Sequence, residues 1–321
     1  MKKIIIILTS FVLLLPHAAQ ANYAQRKDVQ KFIDQMVDKH NFDRIVLNQW
    51  MAKAKKLDGV LESIARPAEK TLTWERYRPI FLKEKRIKLG KEFMQKNSAL
   101  LERAEKETGV SKSIITAIIG VETYYGRHKG KTSVFDSLVT LGFDYPPRAK
   151  FFRSELEQFL LLAREVDIDV SSIKGSYAGA MGMPQFISSS YRAYAVDFDG
   201  DGKRDLWDSK ADVIGSVANY FKKHGWQRGG DVVHRARVKH DLKDATRNKL
   251  EPHTSIADFR HQGVVINKAF ADDVKATLVT LEGKEGTEHW MGLKNFYVIT
   301  RYNHSALYAM AVYQLSQELE K

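Results

Sequence analysis

Hydrophobic positions recur along most of this chain at helical spacing. Val29, Phe32, Ile33, Met36 and Val37 form one such series, and Ile45 to Ala54 follows similarly. A repeat of this period places apolar side chains on one face of a helix. Leu100, Leu101, Ala104 and Thr108 predict another helix, ended by Gly109. Phe152, Leu156, Phe159, Leu160 and Ala163 make a further apolar face. Val213, Ile214, Val217, Ala218 and Phe221 do the same, with Ser209 as N-cap and Gly225 as stop. Residues 65 to 80 break the pattern, with Pro67 and Pro79 flanking Trp74 and Tyr77. After Trp226 the texture changes. Val232 to Val238 and Ala276 to Leu281 alternate or carry β-branched residues between glycine-bearing turns, which predicts strands. Helix returns from Ser305 to Glu318, and no internal repeat is visible.

One segment departs from amphipathic patterning. Ile114 to Val121 is almost wholly apolar and ends in Glu122. A run this dense reads as a buried helix, capped by Ser111 or Ser113. Gly126 stands where a C-cap glycine belongs, so Glu122 falls in the last turn. Burial and the negative pole of the helix both disfavour ionisation there, as a general acid near neutral pH requires. The competing reading is an ordinary glutamate at a helix end, turned to solvent or paired with Arg127.

Composition narrows the setting. Lys2 and Lys3, the apolar stretch Ile4 to Leu15 and Ala19-Gln20-Ala21 have the form of an export signal cleaved after Ala21. The chain has no cysteine, so a disulfide framework and a lipid-bearing cysteine are both excluded. The expectation is a soluble periplasmic protein without a stable membrane anchor. A formal charge of +12 suggests an anionic partner. Outside the cytosol that favours an acidic wall polymer or a membrane surface over nucleic acid.

Two motifs carry further chemistry. Asp197 to Asp208 matches an EF-hand loop, with Asp197, Asp199, Asp201, Asp205 and Asp208 at ligand positions, the Lys203 backbone carbonyl between them, and Gly202 at the sharp turn. Alternate carboxylates on a tight loop supply the oxygens that a hard cation needs. Asp208 replaces the usual glutamate and is one methylene shorter. The short helix expected before the loop, Ser188 to Ala195, suggests one isolated structural site; a solvated acidic turn is the alternative. Gly175 to Phe186 is rich in glycine and alanine, which allows close backbone approach to a ligand or simply tight packing. Aromatic residues recur near these segments, where they either stack on sugar rings or fill the core.

Taken together, Gly120-Val121-Glu122-Thr123 with Gly126-Arg127, Gly175 to Gly182 with Gln185-Phe186, the aspartate loop, Ile214 to Phe221, Tyr302-Asn303 and Tyr308 resemble the B-type family of lytic murein transglycosylases. The resemblance spans most of the chain. It implies a mainly α (α+β) fold: a lysozyme-like helical core, an additional helical domain and a small β-containing domain. The expected boundaries are a signal peptide at 1–21 and a helical region at 22–110. The core at 111–227 carries the loop 197–208. A β-containing domain at 228–293 and a segment completing the core at 294–321 follow. The resemblance also implies Glu122 as sole catalytic acid and base. Ser176, Gln185, Phe186, Tyr220, Tyr302, Asn303, Tyr308 and Tyr77 become glycan-binding positions. One structural Ca2+ is expected, and no cofactor for the chemistry. The implied substrate is the glycan strand of peptidoglycan, cleaved between N-acetylmuramic acid and N-acetylglucosamine to a 1,6-anhydro end. Other cell-wall enzymes are conceivable partners, and a monomer is the default. A lysozyme-type muramidase, a non-catalytic calcium-stabilised wall-binding protein and a calcium regulator are the rival readings.

Overall fold

The computed structural model describes residues 22–66, 71–239 and 249–321. The leader expected at 1–21 lies outside them. The chain divides into two compact units, one up to Lys56 and one from Leu57 onward. That division falls inside the stretch 22–110 expected to form one helical region.

The first unit holds a 3-10 turn at Tyr23–Gln25, α1 (Lys27–His40) and α2 (Arg44–Lys53). Its apolar repeat is buried as predicted, through Val29, Phe32, Ile33 and Met36 on α1 and Leu47 and Met51 on α2. Asn41 ends α1 in the left-handed region, and Asp43 caps α2 by accepting from the Ile45 N–H at 2.6 Å.

The second unit is mainly helical. α3 (Asp58–Ile64), α4 (Trp74–Phe81), α5 (Glu84–Lys96) and α6 (Ser98–Thr108) lead into α7 (Lys112–Thr123). α4 forms within the predicted break, with Pro79 inside it. Burial of Trp74 and Tyr77 outweighs the single ladder bond that the proline removes. β1 (Thr132–Ser133) pairs with β2 (Lys174–Gly175) across α8 (Val134–Asp144) and α9 (Ala149–Glu165). α10 (Ser188–Tyr194) and α11 (Lys210–Lys223) flank the acidic loop.

The strands then follow: β3 (Val233–Val238), β4 (Thr254–Ser255), β5 (Val264–Ile266) after α12 (Ile256–His261), β6 (Lys275–Gly283) and β7 (Gly286–Gly292). They form one antiparallel sheet in the order β4-β6-β7-β3-β5. Ile256 and Phe259 of α12 pack with Ala236, Val264, Leu278 and Met291 into a separate small core. α13 (Lys294–Tyr302) and α14 (Ala306–Glu320) close the chain.

α7 lies at the centre. α14 packs along it, with α5, α6 and α11 against its remaining faces. Helical cover all round explains why its sequence has no polar face. Neither serine caps it as expected. Ser111 occupies the N-cap but its hydroxyl makes no capping bond to the helix backbone, and the Ser113 hydroxyl donates to Glu320 Oε1 at 2.5 Å. Near its other end, Gly120 and Gly90 of α5 form a slot for the Tyr125 ring. A Cβ at Gly120 would lie 2.6 Å from that ring, and one at Gly90 2.3 Å from its hydroxyl. Gly120→Ala is therefore expected to lower unfolding free energy by about 1–3 kcal/mol, read from the urea midpoint at unchanged slope.

Candidate active site

Glu122 sits half-buried in the last turn of α7. The helix stops earlier than the glycine pattern suggested. Tyr124, Tyr125 and Gly126 are all left-handed, at φ 55°, 61° and 86°. The Tyr124 N–H donates to Gly120 O at 3.1 Å and the Tyr125 N–H to Ile119 O at 3.2 Å, closing the turn. Left-handed tyrosines are strained. Tyr125 persists there because its ring fills the slot between the two glycines.

The start of α14 meets this turn. The Tyr308 hydroxyl donates to Glu122 Oε1 at 2.5 Å. Tyr302 lies nearly parallel to Tyr308, with ring centres 6.4 Å apart, and its hydroxyl donates to Pro184 O at 2.5 Å. Burial, then the negative charge of Glu122, push both phenols well above their usual pKa, so both remain donors. Phe186 and Tyr220 back Tyr302 at 5.8 Å and 4.8 Å, and the Tyr220 hydroxyl donates to Arg301 O at 2.6 Å.

The glycine-rich turn closes the third side. The Thr123 hydroxyl donates to Met183 O at 2.8 Å and accepts from the Gly126 N–H at 3.0 Å. Ser176 Oγ accepts from Ala178 N–H at 3.2 Å and Ala180 N–H at 3.0 Å, which leaves its own proton to donate. Gln185, left-handed at φ 52°, donates to Gly182 O at 2.9 Å.

Burial divides the residues expected to bind glycan into two groups. Tyr77, Phe186, Tyr220 and Tyr308 are only 2 %, 2 %, 6 % and 2 % exposed. They form the wall behind the site and offer almost no ring face for stacking on a sugar. Ser176, Gln185, Tyr302 and Asn303 are half-exposed. Tyr302 and Asn303 also line a cavity of about 870 Å³, with Tyr145, Arg148, Tyr177 and Thr280 around it.

Two of the aspartates expected as ligands come together in the acidic loop, joined by a third from beyond it. Carboxylate oxygens of Asp197, Asp199 and Asp212 converge within 4.8 Å of one another. Asp208 instead pairs with Lys129 Nζ at 3.1 Å and is 82 % exposed. Its short side chain meets a nearby cation, while Asp212, buried on the first turn of α11, reaches back into the loop. Asp212 also accepts the Phe198 and Asp205 N–H groups, both at 2.7 Å. Asp197 accepts from Gly202, Gly200 and Asp201, which hold its carboxyl below the usual range. Asp201 and Asp205 accept from the Lys203 and Trp207 N–H groups. A donor set of oxygens alone, three of them gathered at one point, suits a hard cation such as Ca2+.

Comparison with known proteins places the chain in a family. Residues 24–317 match the family model described as a transglycosylase SLT domain. The chain is 44 % identical over 305 residues to the membrane-bound lytic murein transglycosylase B of Escherichia coli K12, covering 92 % of this chain and 83 % of that one. The chain belongs to the lytic murein transglycosylase B family. It is a peptidoglycan lytic transglycosylase with a lysozyme-like helical core. Among solved structures, catenated lytic transglycosylase SltB1 of Pseudomonas aeruginosa superposes with a TM-score of 0.88 at 48 % identity, covering 93 % of this chain and 98 % of that one. The Escherichia coli lytic transglycosylase Slt35 in complex with calcium gives 0.85 at 44 % identity, covering 93 % and 94 %.

Sequence reasoning passed over three residues of this transglycosylase. Thr123 stood inside the quoted motif but had no role, because its partner Met183 O is a backbone atom. Asp212 was hidden by lying beyond the loop; its signal is a lone carboxylate on an otherwise apolar helix face. Arg148 lies outside every quoted motif, although it lines the cavity. Thr123→Val removes a buried donor and acceptor together without changing shape. It is expected to lower stability by about 1–3 kcal/mol and to reduce glycan cleavage per folded molecule, measured by urea unfolding and a turbidity assay on sacculi.

Proposed function

We propose that this enzyme cleaves the β-1,4 bond between N-acetylmuramic acid and N-acetylglucosamine without water, with Glu122 as single acid and then base. The observation that carries this reading is the 2.5 Å hydrogen bond from Tyr308 to Glu122 Oε1. Because the phenol stays protonated, Oε1 is held as an acceptor. In this reading the transferable proton is carried by Oε2. Protonated Glu122 gives it to the glycosidic oxygen, and the C1–O4 bond breaks. The 2-acetamido carbonyl of the muramoyl ring bonds to C1 and stabilises the developing cation. Glu122, now ionised, removes the C6 hydroxyl proton; O6 attacks C1 and displaces the acetamido oxygen. The product is a 1,6-anhydro ring and Glu122 is reprotonated. Most two-carboxylate glycosidases instead employ a second acid as nucleophile or base.

Ser176 and Asn303 orient the acetamido group in this reading, while Gln185 and Tyr302 position the glycan. Tyr77, Phe186, Tyr220 and Tyr308 act from behind. The cavity past Tyr302 and Asn303 gives the polymer room to run on. The core at 111–227 and 294–321 would hold the chemistry, with 228–293 as a wall of the groove. A single Ca2+ held by Asp197, Asp199 and Asp212, with Asp201, Asp205 and the Lys203 carbonyl nearby, would stabilise the loop and take no part in the reaction. Export through cleavage after Ala21 would put the enzyme in the periplasm. Among the described residues no helix is long and apolar enough to cross a membrane.

Glu122→Gln should cut sacculus digestion by at least about 10³-fold while retaining glycan binding. Mass spectrometry of products from the unmodified enzyme should give muramoyl ends one water lighter than hydrolysed ends. Hydrated ends alone would identify a muramidase instead. Ca2+ at about a hundred times its Kd should raise unfolding free energy by about 2.7 kcal/mol, and chelation or Asp199→Asn should remove the gain. A melting temperature indifferent to Ca2+ and to chelator would reject the metal assignment.

A further inference from the structure

The last turn of α7 has an anchor that the mechanism above leaves unused. Arg86, on α5, is half-buried, and one of its terminal nitrogens donates to Gly120 O, two residues before Glu122. The other reaches Ile80 O at 3.5 Å. The guanidinium carbon lies 4.7 Å from the centre of the Tyr124 ring and 5.2 Å from that of Phe81. No carboxylate pairs with Arg86 among the described residues, and its Nε is buried without an acceptor. The buried Tyr125 hydroxyl beside it also lacks a partner.

A partly desolvated cation with no counter-ion is unfavourable, and a plain surface role would not keep it there. What it faces accounts for it. Gly120 O is one of the carbonyls at the negative pole of α7, where a cation is stabilising. Tyr124 is the first strained left-handed residue after Thr123, and the guanidinium covers its ring face. Arg86 thus grips the turn from the α5 side while Thr123 ties it to Met183 on the other. We propose that Arg86 is a positioning residue for Glu122, which clamps the last turn of α7 and fixes where the carboxylate points. This rests on Glu122 being the acid.

The test compares Arg86→Met and Arg86→Lys in the full chain, using glycan cleavage kinetics and amide hydrogen exchange at Tyr124 and Tyr125. For Arg86→Met, kcat should fall about 10–100-fold with KM held within about threefold. Exchange at the two tyrosine amides should rise at least about tenfold above that of the α7 core. Arg86→Lys should recover part of both effects, and added guanidinium should recover part of the Met variant's kcat. Unchanged kcat and exchange in Arg86→Met would overturn the proposal. So would equal loss in both variants with uniform exchange along α7, since that marks general destabilisation. An active Glu122→Gln enzyme would instead sink the reading of the site, whatever the Arg86 variants do.

Discussion

The hydrogen bond between Tyr308 and Glu122 joins residues 186 positions apart, and much of the second unit serves to bring them together. Its two ends impose different demands. Glu122 must sit at the end of a helix with no free face, so α7 needs helical cover on every side. Tyr308 must reach it from the first turn of α14, whose start is fixed when Ser305 accepts the Tyr308 N–H at 3.3 Å. Met310, Val312 and Leu315 then bury against the interior and hold α14 alongside α7. Packing of two whole helices, not a mobile loop, thereby sets the distance between donor and acceptor. Placement on rigid elements is what a reaction sensitive to fractions of an ångström requires.

The acidic loop and the end of α7 both bond to the backbone of Met183. The Met183 N–H donates to Leu206 O at 2.8 Å, and Met183 O accepts from Thr123 at 2.8 Å. The adjoining Gly182 is left-handed, and a Cβ there would lie 2.5 Å from Leu206 O. Lys129 adds a second tie, since Nζ donates to Trp207 O at 2.9 Å while its carbonyl accepts from Gln185 at 3.3 Å. An acidic loop of this kind would look peripheral if judged by its own exposure. Its backbone carbonyls nonetheless brace the turn that faces Glu122, so ordering the loop orders that turn.

Much of this was legible in the sequence, and what was not has definite physical causes. The apolar run ending in Glu122 could only be a buried helix, and the alternating segments near 232–238 and 276–281 fall in β3 and β6. Local pattern sufficed because local periodicity decides which face is buried. The end of α7 was misjudged because glycine preference at helix ends is a local rule, while the slot made by Gly90 and Gly120 is tertiary and overrides it. Aromatic residues near a site do not announce which way they face, so Tyr220 and Phe186 read as sugar contacts although they are core. Asp212 and Asp208 are equally acidic in sequence; only the turn into α11 distinguishes the one that folds inward. Arg86 lies in a lysine-rich stretch, where nothing in the local pattern sets it apart from its neighbours.

The strained turn after Glu122 follows from the same geometry. A helix that ended in solvent could fray over its last residues and lose nothing but order. α7 ends among other elements, where an unpaired carbonyl has no water to turn to. Three successive left-handed residues reverse the chain within one turn, and the His128 N–H returns to Thr123 O at 2.9 Å. Gly120 O receives both the Tyr124 N–H and Arg86. Each left-handed tyrosine costs on the order of 1–3 kcal/mol, and leaving a buried carbonyl unmade costs a similar amount. The strain and the satisfied carbonyls therefore offset each other. Relaxing the tyrosines into ordinary backbone would lengthen the turn and withdraw the hydrogen bonds that hold the final residues of α7. Glu122 is the side chain with most to lose from that relaxation, because its aim depends on the backbone on both sides of it.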